Sequence, residues 1–345
     1  MIKPWIFELF GAPGGRSATP AEPHVTAEHF AWHLDLWRRA EAWGFEGIFF
    51  SEHHFGLGYS PSPNLLIAAM AKQTKTLRLG VMGVVLPYYQ PWRVVEEIGM
   101  LDHLTNGRLE IGTASGIPQE MARIGLSVEE ANARNAEAVA ILDAALASPV
   151  ISHHGTFWSF DDLRIEPRPL QQPAPPKWTT VVSIESARKA ARRGSKLCTG
   201  FHPIERIAEI FDAYRDEAAR AGHPAGPDQL AIRRNITVAQ DEAAAHEASR
   251  TALRLYRQAL THDPRYTESP VPDAPGPTHG FSVGEDEFIA GTGEQVAEQI
   301  IAQCRRVGAG HFLSTVERSA PREQRMANFE LYARHVIPAL RRARV

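Results

Sequence analysis

"LRLGVMGVVLPYYQPWRVVEEIGMLDHLTNGRLEIGTASG" (77–116) holds the alternation that decides the fold. Residues 77–87 form a β-rich apolar run, which predicts a strand. Pro91 stands at the first-turn position that a helix tolerates, and an amphipathic stretch over 91–104 follows it. Residues 108–116 return to a strand pattern. A strand, a helix and a strand in direct succession imply a crossover and a parallel pair.

The same rhythm extends both ways. Upstream lie strands at 5–10 and 47–54 and helices at 27–44 and 64–74. In the first helix Phe30, Leu34, Trp37 and Ala40 recur at helical spacing, and Gly44 supplies the stop. Trp32, Trp37 and Trp43 are expected to pack. Downstream, strands are expected at 178–183, 196–201, 230–240 and 311–317, and helices at 128–146, 186–194, 204–222, 241–260, 294–308 and 322–340. Two stretches break the rhythm. Residues 150–178 combine short β pieces with many prolines and read as a hairpin excursion, with "SHHG" (152–155) as its turn chemistry. Residues 261–288 are rich in Pro and Gly without a period.

About eight strand–helix units result, the count of a (β/α)8 TIM barrel. A doubly wound sheet would alternate in the same way. It calls for a Gly-rich turn after the first strand and an acidic residue about 20 positions later. "GAPGGR" (11–16) is not that fingerprint, nor does it carry the Gly-Lys-Ser/Thr of a P-loop. The expected fold is therefore α/β, one barrel domain over 1–345, with the hairpin excursion before strand 5 and the 261–288 insertion after strand 7.

Composition narrows the function. The chain has 345 residues, 43% hydrophobic and 22% charged, with a formal net charge of −3, and this leaves no basic footprint for nucleic acid. Cys198 and Cys304 are far apart and form no Cys-x-x-Cys, which argues for a reducing compartment over a disulfide scaffold. The N-terminal stretch lacks a signal-peptide pattern. No apolar run reaches the roughly 18 residues of a membrane span. A soluble cytoplasmic protein without a membrane partner is expected.

In a barrel the chemistry sits at the C-terminal strand ends. That places Ser51 to His54, Leu86, Ala114 to Gly116, Ser183 to Ser186, Phe201 with His202, and Glu317 near one rim. "SEHH" (51–54) invites a metal reading, since imidazole and carboxylate are good ligands. Side chains alternate along a strand, so His53 and His54 diverge and only Glu52 and His54 share a side. Beyond His202 and Glu317 the other strand ends add no second ligand cluster, and metal is not the favoured reading. For His54 the favoured reading is a hydrogen-bonded wall residue.

Taken together, these segments resemble the bacterial luciferase-like flavin-dependent monooxygenases. "GFEGIFFSEHHF" (44–55) resembles that family's second strand, and residues 77–116 its third and fourth units, with the P-x-R-x-x-E-x-x-x-x-L-D-x-x-x-x-G-R run at Pro91 to Arg108. "FDDLRIEPRPLQQPAPPKW" (160–178) resembles the approach to its fifth strand. "VVSIESARKAARRG" (181–194) resembles the turn that holds the flavin phosphate, and "GTGEQVAEQI" (291–300) the start of a late helix. The resemblance implies reduced FMN and O2, a flavin C4a-peroxide, and oxygenation of a small organic substrate. It further implies a separate NAD(P)H flavin reductase as partner and a homodimer. Two alternatives stay open: an F420-dependent oxidoreductase of the same fold, and a non-catalytic flavin-binding protein.

Residue by residue, His53 matches the family's catalytic histidine, a group able to accept or donate a proton at neutral pH. Glu52 either orients that pocket or makes a structural hydrogen bond to a barrel neighbour. Met82–Gly83 falls where relatives carry a non-prolyl cis peptide beside the isoalloxazine ring; an ordinary buried strand is the other reading. Ser183, Glu185 and Ser186 precede a helix whose free N–H groups and dipole suit a phosphate, with Arg188 or Lys189 to add charge. A plain N-cap by Ser183 or Ser186 is the alternative. Ala114 stands where luciferase itself has a reactive cysteine and Ser115 where it has a phosphate-binding arginine, so light emission is not expected. Residues 261–288 correspond to the family's mobile lid.

Overall fold

The computed structural model describes residues 1–13, 20–56, 58–261, 285–316 and 320–345. Strands run in chain order as β1 (Lys3–Glu8), β2 (Gly47–Phe50), β3 (Arg78–Val81), β4 (Val84–Val85), β5 (Leu109–Ala114), β6 (Val150–His154), β7 (Ser159–Arg164), β8 (Lys177–Thr180), β9 (Lys196–Thr199), β10 (Leu230–Val238), β11 (Phe288–Gly291) and β12 (His311–Val316). Helices are α1 (Pro23–Trp43), α2 (Pro63–Ala71), α3 (Pro91–Thr105), α4 (Pro118–Arg123), α5 (Val128–Ala147), α6 (Ile184–Arg192), α7 (Ile204–Ala221), α8 (Glu242–Thr261), α9 (Gly293–Val307), α10 (Arg322–Leu331) and α11 (Ile337–Arg342). A π turn at Tyr332–Val336 joins α10 to α11.

Parallel pairing runs β1–β2–β3–β5–β8–β9–β10–β12 and returns to β1, closing the ring of the expected (β/α)8 barrel. β4 continues β3 along β5. The pairing of Gly80 with Glu110 and of Val84 with Thr113 differ by one residue in offset, so the β3–β4 side carries one extra residue there. β6 and β7 form the antiparallel hairpin of the excursion. Its tip is gripped by Glu137, whose carboxylate accepts N–H bonds from Thr156, Phe157 and Trp158. The insertion read as a lid lies outside the described residues over 262–284, as does Glu317. Among the described residues, no helix is long and apolar enough to cross a membrane.

Large side chains meet glycines inside the ring. Trp5 lies against Gly47, where a Cβ would come 2.3 Å from the indole; Phe49 lies against Gly80, where a Cβ would come 2.6 Å from the phenyl ring. Trp5 and Phe49 stack at 4.8 Å between centroids, and Trp178 meets Phe49 edge-on at 5.3 Å. Met82, Cys198, Ala231 and Leu313 complete this inner cluster. At the N-terminal end the lumen is closed by charge. Glu110 pairs with Arg78 and accepts from the Trp178 indole at 2.6 Å, while His311 accepts from the Trp5 indole at 2.9 Å. The larger core lies between barrel and helices, where Phe50 and Trp37 pack edge to face at 4.8 Å.

Two elements were not read from the sequence, α4 with six residues and β11 with four, while β4 falls within the strand expected over 77–87. Six residues are too few for α4 to reveal a helical period. β11 pairs with the far half of β10, Asn235–Val238. Trp37 is fully buried as expected, and Trp32 and Trp43 pack against the core while half-buried. Both cysteines are buried, and burial pushes the Cys198 thiol up to about 12.

A charged cluster ties β1 to α1 and α10. Glu8 is 1% exposed. It accepts from the Trp37 indole at 2.8 Å and from Arg325 Nη2 at 2.9 and 2.7 Å. Burial alone would raise its pKa, but Arg325, His33 and the Trp37 bond bring it below the ordinary value. His33 Nδ1 faces the His29 carbonyl at 2.8 Å, so it must carry the proton, and Nε2 accepts from Arg325 Nη1 at 2.8 Å. Protonating Nε2 would set it against the guanidinium. Burial, helped by Arg325 and opposed by Glu8, lowers His33 to about 4.

An unfolded histidine titrates near 6.5, so between about pH 6.5 and 4 the unfolded chain binds a proton that native His33 refuses. Stability therefore rises with pH across that window. Acidification through it should cost roughly 3 kcal/mol at this site. His33→Gln supplies the same donor and acceptor without titrating. Its unfolding free energy, measured by denaturant titration from pH 7 to 4, should fall distinctly less than that of the wild type; an equal fall would place the sensitivity elsewhere.

Candidate active site at the strand ends

β2, β3/β4, β5 and β8 are neighbours in the ring, so their C-terminal tips share one side of the rim. This brings together Ser51 to His54, Met82–Gly83, Ala114–Ser115 and the turn from β8 into α6. The first group leaves the ladder after Phe50, with Ser51 N–H bonding to the Glu8 carbonyl at 3.0 Å. Ser51 is buried, and its Oγ has no partner among the described residues.

The two histidine rings go to different carboxylates. His53 Nδ1 lies 3.1 Å from Glu120 Oε1, and the same oxygen accepts the His54 backbone N–H at 2.9 Å. The His53 side chain is 29% exposed, and Nε2 has no protein partner among the described residues. His54 Nε2 lies 3.0 Å from Glu52 Oε1, as alternation along the strand required. Its ring meets Tyr88 edge-on at 5.2 Å.

Glu52 is spent on the wall. Oε1 also accepts from the Tyr89 hydroxyl at 3.1 Å, and Oε2 from the Val85 N–H at 3.3 Å, which ties β2 to β4. Burial raises the Glu52 pKa against the pull of His54. The bond to Glu52 raises that of His54. The carboxylate orients the His54 ring. Among the described residues no group of histidine, cysteine and carboxylate side chains is arranged to hold a metal. His202, the other histidine of the rim, lies with Nε2 3.0 Å from the Val182 carbonyl and links the tips of β9 and β8.

The Met82–Gly83 peptide is cis. Gly83 lies directly on β5: a Cβ there would come 2.6 Å from the Thr113 backbone, so only glycine fits. Met82 is buried, while Ala114 and Ser115 are half-buried at the next tip. At the β8–α6 turn, Ser183 and Ser186 form a reciprocal capping box. Ser183 Oγ accepts from Ser186 N–H at 3.2 Å, and the Ser186 hydroxyl faces both the Ser183 N–H at 3.1 Å and the Ser183 carbonyl at 2.8 Å. The N–H groups of Ile184 and Glu185 have no partner among the described residues and sit at the positive end of the α6 dipole. The Glu185 side chain is exposed and faces Lys189 and Arg192 at 3.9 and 3.8 Å. This half of the rim thus combines the His53 imidazole, close backbone packing at Gly83 and, among the described residues, two N–H groups without a partner at the start of α6.

Two features of the rim were not read from the sequence. Glu120, on α4, is 1% exposed and lies 67 positions from His53. Its available signal was an acidic residue just after Pro118 at a helix start. Arg233 lies on the far side, 4.7 Å from the Phe201 ring centroid, and pairs with the buried Glu287, which also holds Arg234 at 3.0 Å and the Phe201 N–H at 2.8 Å.

The chain is similar to known proteins over most of its length. A family model described as luciferase-like monooxygenase matches residues 8–311. Protein y4wF of Sinorhizobium fredii is 31% identical over 85% of this chain and 86% of its own length. The oxygenase component of the flavin-dependent trigonelline monooxygenase of Acinetobacter baylyi is 26% identical over 90% of each chain. The crystal structure of monooxygenase RslO1 from Streptomyces bottropensis superposes with a TM-score of 0.80 at 26% identity, covering 98% of this chain and 99% of that one. The closed barrel, the geometry of its rim and a match that spans most of the sequence lead to one conclusion: the chain belongs to the luciferase-like monooxygenase family.

Proposed function

We propose that the protein is the oxygenase of a two-component system, receiving reduced FMN from a separate NAD(P)H flavin reductase and using O2 to oxygenate a small organic substrate. The observation that carries this reading is His53, a half-exposed imidazole at the strand tips whose Nδ1 is engaged and whose Nε2 is free. Family membership and a relative named as an oxygenase component support it. FMN, when bound, supplies the activation of O2.

The chain's own residues supply the rest. Nε2 of His53 accepts or returns a proton at the reacting centre. Glu52 holds His54 in the wall beside it. Met82 and Gly83, between β3 and β4, would line the site of the flavin ring. The Ile184 and Glu185 N–H groups, with the dipole of α6, hold the phosphate. The hydroxyls of Ser183 and Ser186 shape that turn through the capping box.

Anaerobic protein loaded with reduced FMN and then mixed with O2 and candidate aldehydes or ketones should yield an oxygenated product with one flavin oxidised per turnover. Reduced F420 consumed without O2 would replace this reading with a hydride-transfer enzyme. His53→Ala should retain FMN affinity and lower product formation about 10²–10⁴-fold, the usual worth of an acid–base group; an unchanged rate removes His53 from the chemistry. Ile184→Pro deletes one free N–H at a position where proline suits a helix, next to an extended Ser183. Titration should show FMN affinity falling about tenfold or more, consistent with loss of one charge-assisted bond. Riboflavin affinity should stay level. An equal loss for both flavins would place the phosphate elsewhere.

A further inference from the structure

We propose that Glu120 is a positioning residue for His53: it holds the imidazole in the tautomer protonated at Nδ1, leaving Nε2 as the atom that exchanges protons. This rests on the reading of His53 given above.

A carboxylate only accepts hydrogen bonds. With Glu120 Oε1 3.1 Å from Nδ1, a neutral His53 must carry its proton on Nδ1 and leave Nε2 bare. The neighbouring pair is set the other way. His54 meets Glu52 through Nε2, so its proton belongs there. Two consecutive histidines are thus fixed in opposite tautomers by two buried carboxylates. The second bond to Glu120 Oε1, from the His54 backbone N–H at 2.9 Å, anchors the carboxylate to the same turn of chain that carries the imidazole.

The surroundings separate Glu120 from the purely structural carboxylates of this chain. Glu8 and Glu287 are buried against arginines. Glu137 holds three backbone N–H groups at the hairpin tip and also meets His153 Nε2 at 3.1 Å, away from the strand-end rim. Glu120 has no arginine beside it: it accepts the one His54 N–H, its sole ion-pair partner among the described residues is His53, and among them Oε2 is buried with no partner. Leaving a carboxylate oxygen buried and unpaired is expensive. The arrangement resembles the carboxylates that orient catalytic and metal-binding histidines, where the second partner fixes which ring nitrogen works. α4 delivers Glu120 from a backbone turn at Gly116 (φ +92), where a side chain would press on Val85 at 2.9 Å, and the helix is pinned by buried Met121.

The test uses the full chain labelled with ¹⁵N-histidine. Multiple-bond ¹⁵N–¹H spectra of the ring nitrogens, assigned by the signals lost in His53→Ala, read the tautomer without any turnover. Wild-type His53 should be protonated at Nδ1. Glu120→Gln keeps an acceptor and should keep that signature, whereas Glu120→Ala should shift His53 toward the Nε2–H form and leave the His54 signals in place. A wild-type His53 protonated at Nε2 overturns the proposal, and this measurement does not require any variant to fold. So does an Nδ1–H signature that persists in folded Glu120→Ala. In the coupled FMN assay Glu120→Ala should lower kcat about 10–100-fold, with KM held within a factor of two or three, and should add nothing to His53→Ala. Spectra as expected with full activity in His53→Ala would reject the function assigned to His53 and leave the tautomer assignment standing.

Discussion

The interlock of large and absent side chains inside the barrel fixes everything above it. Trp5 occupies the space that a side chain at position 47 would need, and Phe49 the space at position 80. These contacts lock β1, β2 and β3 in one register, Trp5 opposite Gly47 and Phe49 opposite Gly80. A slip of one residue would exchange Phe49, in the lumen, with Phe50, which packs on Trp37 in the helix layer. Because the register cannot slip, the chain leaves β2 at a set height and orientation. The divergence of His53 and His54 onto separate carboxylates follows from that exit.

Above the interlock, the chemistry is organised by how each buried carboxylate is satisfied. Glu8 is matched by Arg325 and becomes a strut between β1 and α10. Glu287 is matched by Arg233 and Arg234 and joins the tips of β9 and β10 to the turn before β11. Glu52 is shared among a histidine, a tyrosine and a backbone N–H, and so belongs to the wall. Glu120 alone is left to a half-exposed histidine and one backbone N–H. The cost of an uncompensated buried charge makes this ordering physical: a carboxylate held by arginine is inert scaffolding, and one held by histidine can direct a proton.

The rim is correspondingly divided. One side, from β2 to β8, gathers the histidines, the glycine backbone at position 83 and the free N–H groups of α6. The opposite side, at β9 and β10, is filled by Arg233 packed on Phe201 and neutralised by Glu287. The rim therefore carries polar donors on one flank and a packed aromatic and guanidinium surface on the other.

The sequence alone determined what depends on neighbours in the chain. Alternating periods announced the parallel strands and helices, Pro91 and Gly44 marked where helices begin and end, and side-chain alternation foretold that Glu52 and His54 would meet. Resemblance to a family pointed to His53, to the start of α6 and to a cis bond at Met82–Gly83, which the structure contains, since those positions sit in recognisable local motifs. The ring's closure decided the rest. Glu120 reaches His53 across 67 positions, and Arg325 reaches Glu8 across 317. α4 has six residues, too few to show a helical period, and no local pattern records which carboxylate a strand tip will face. That choice belongs to register and closure, which arise only when all eight strands pack around the same aromatic core.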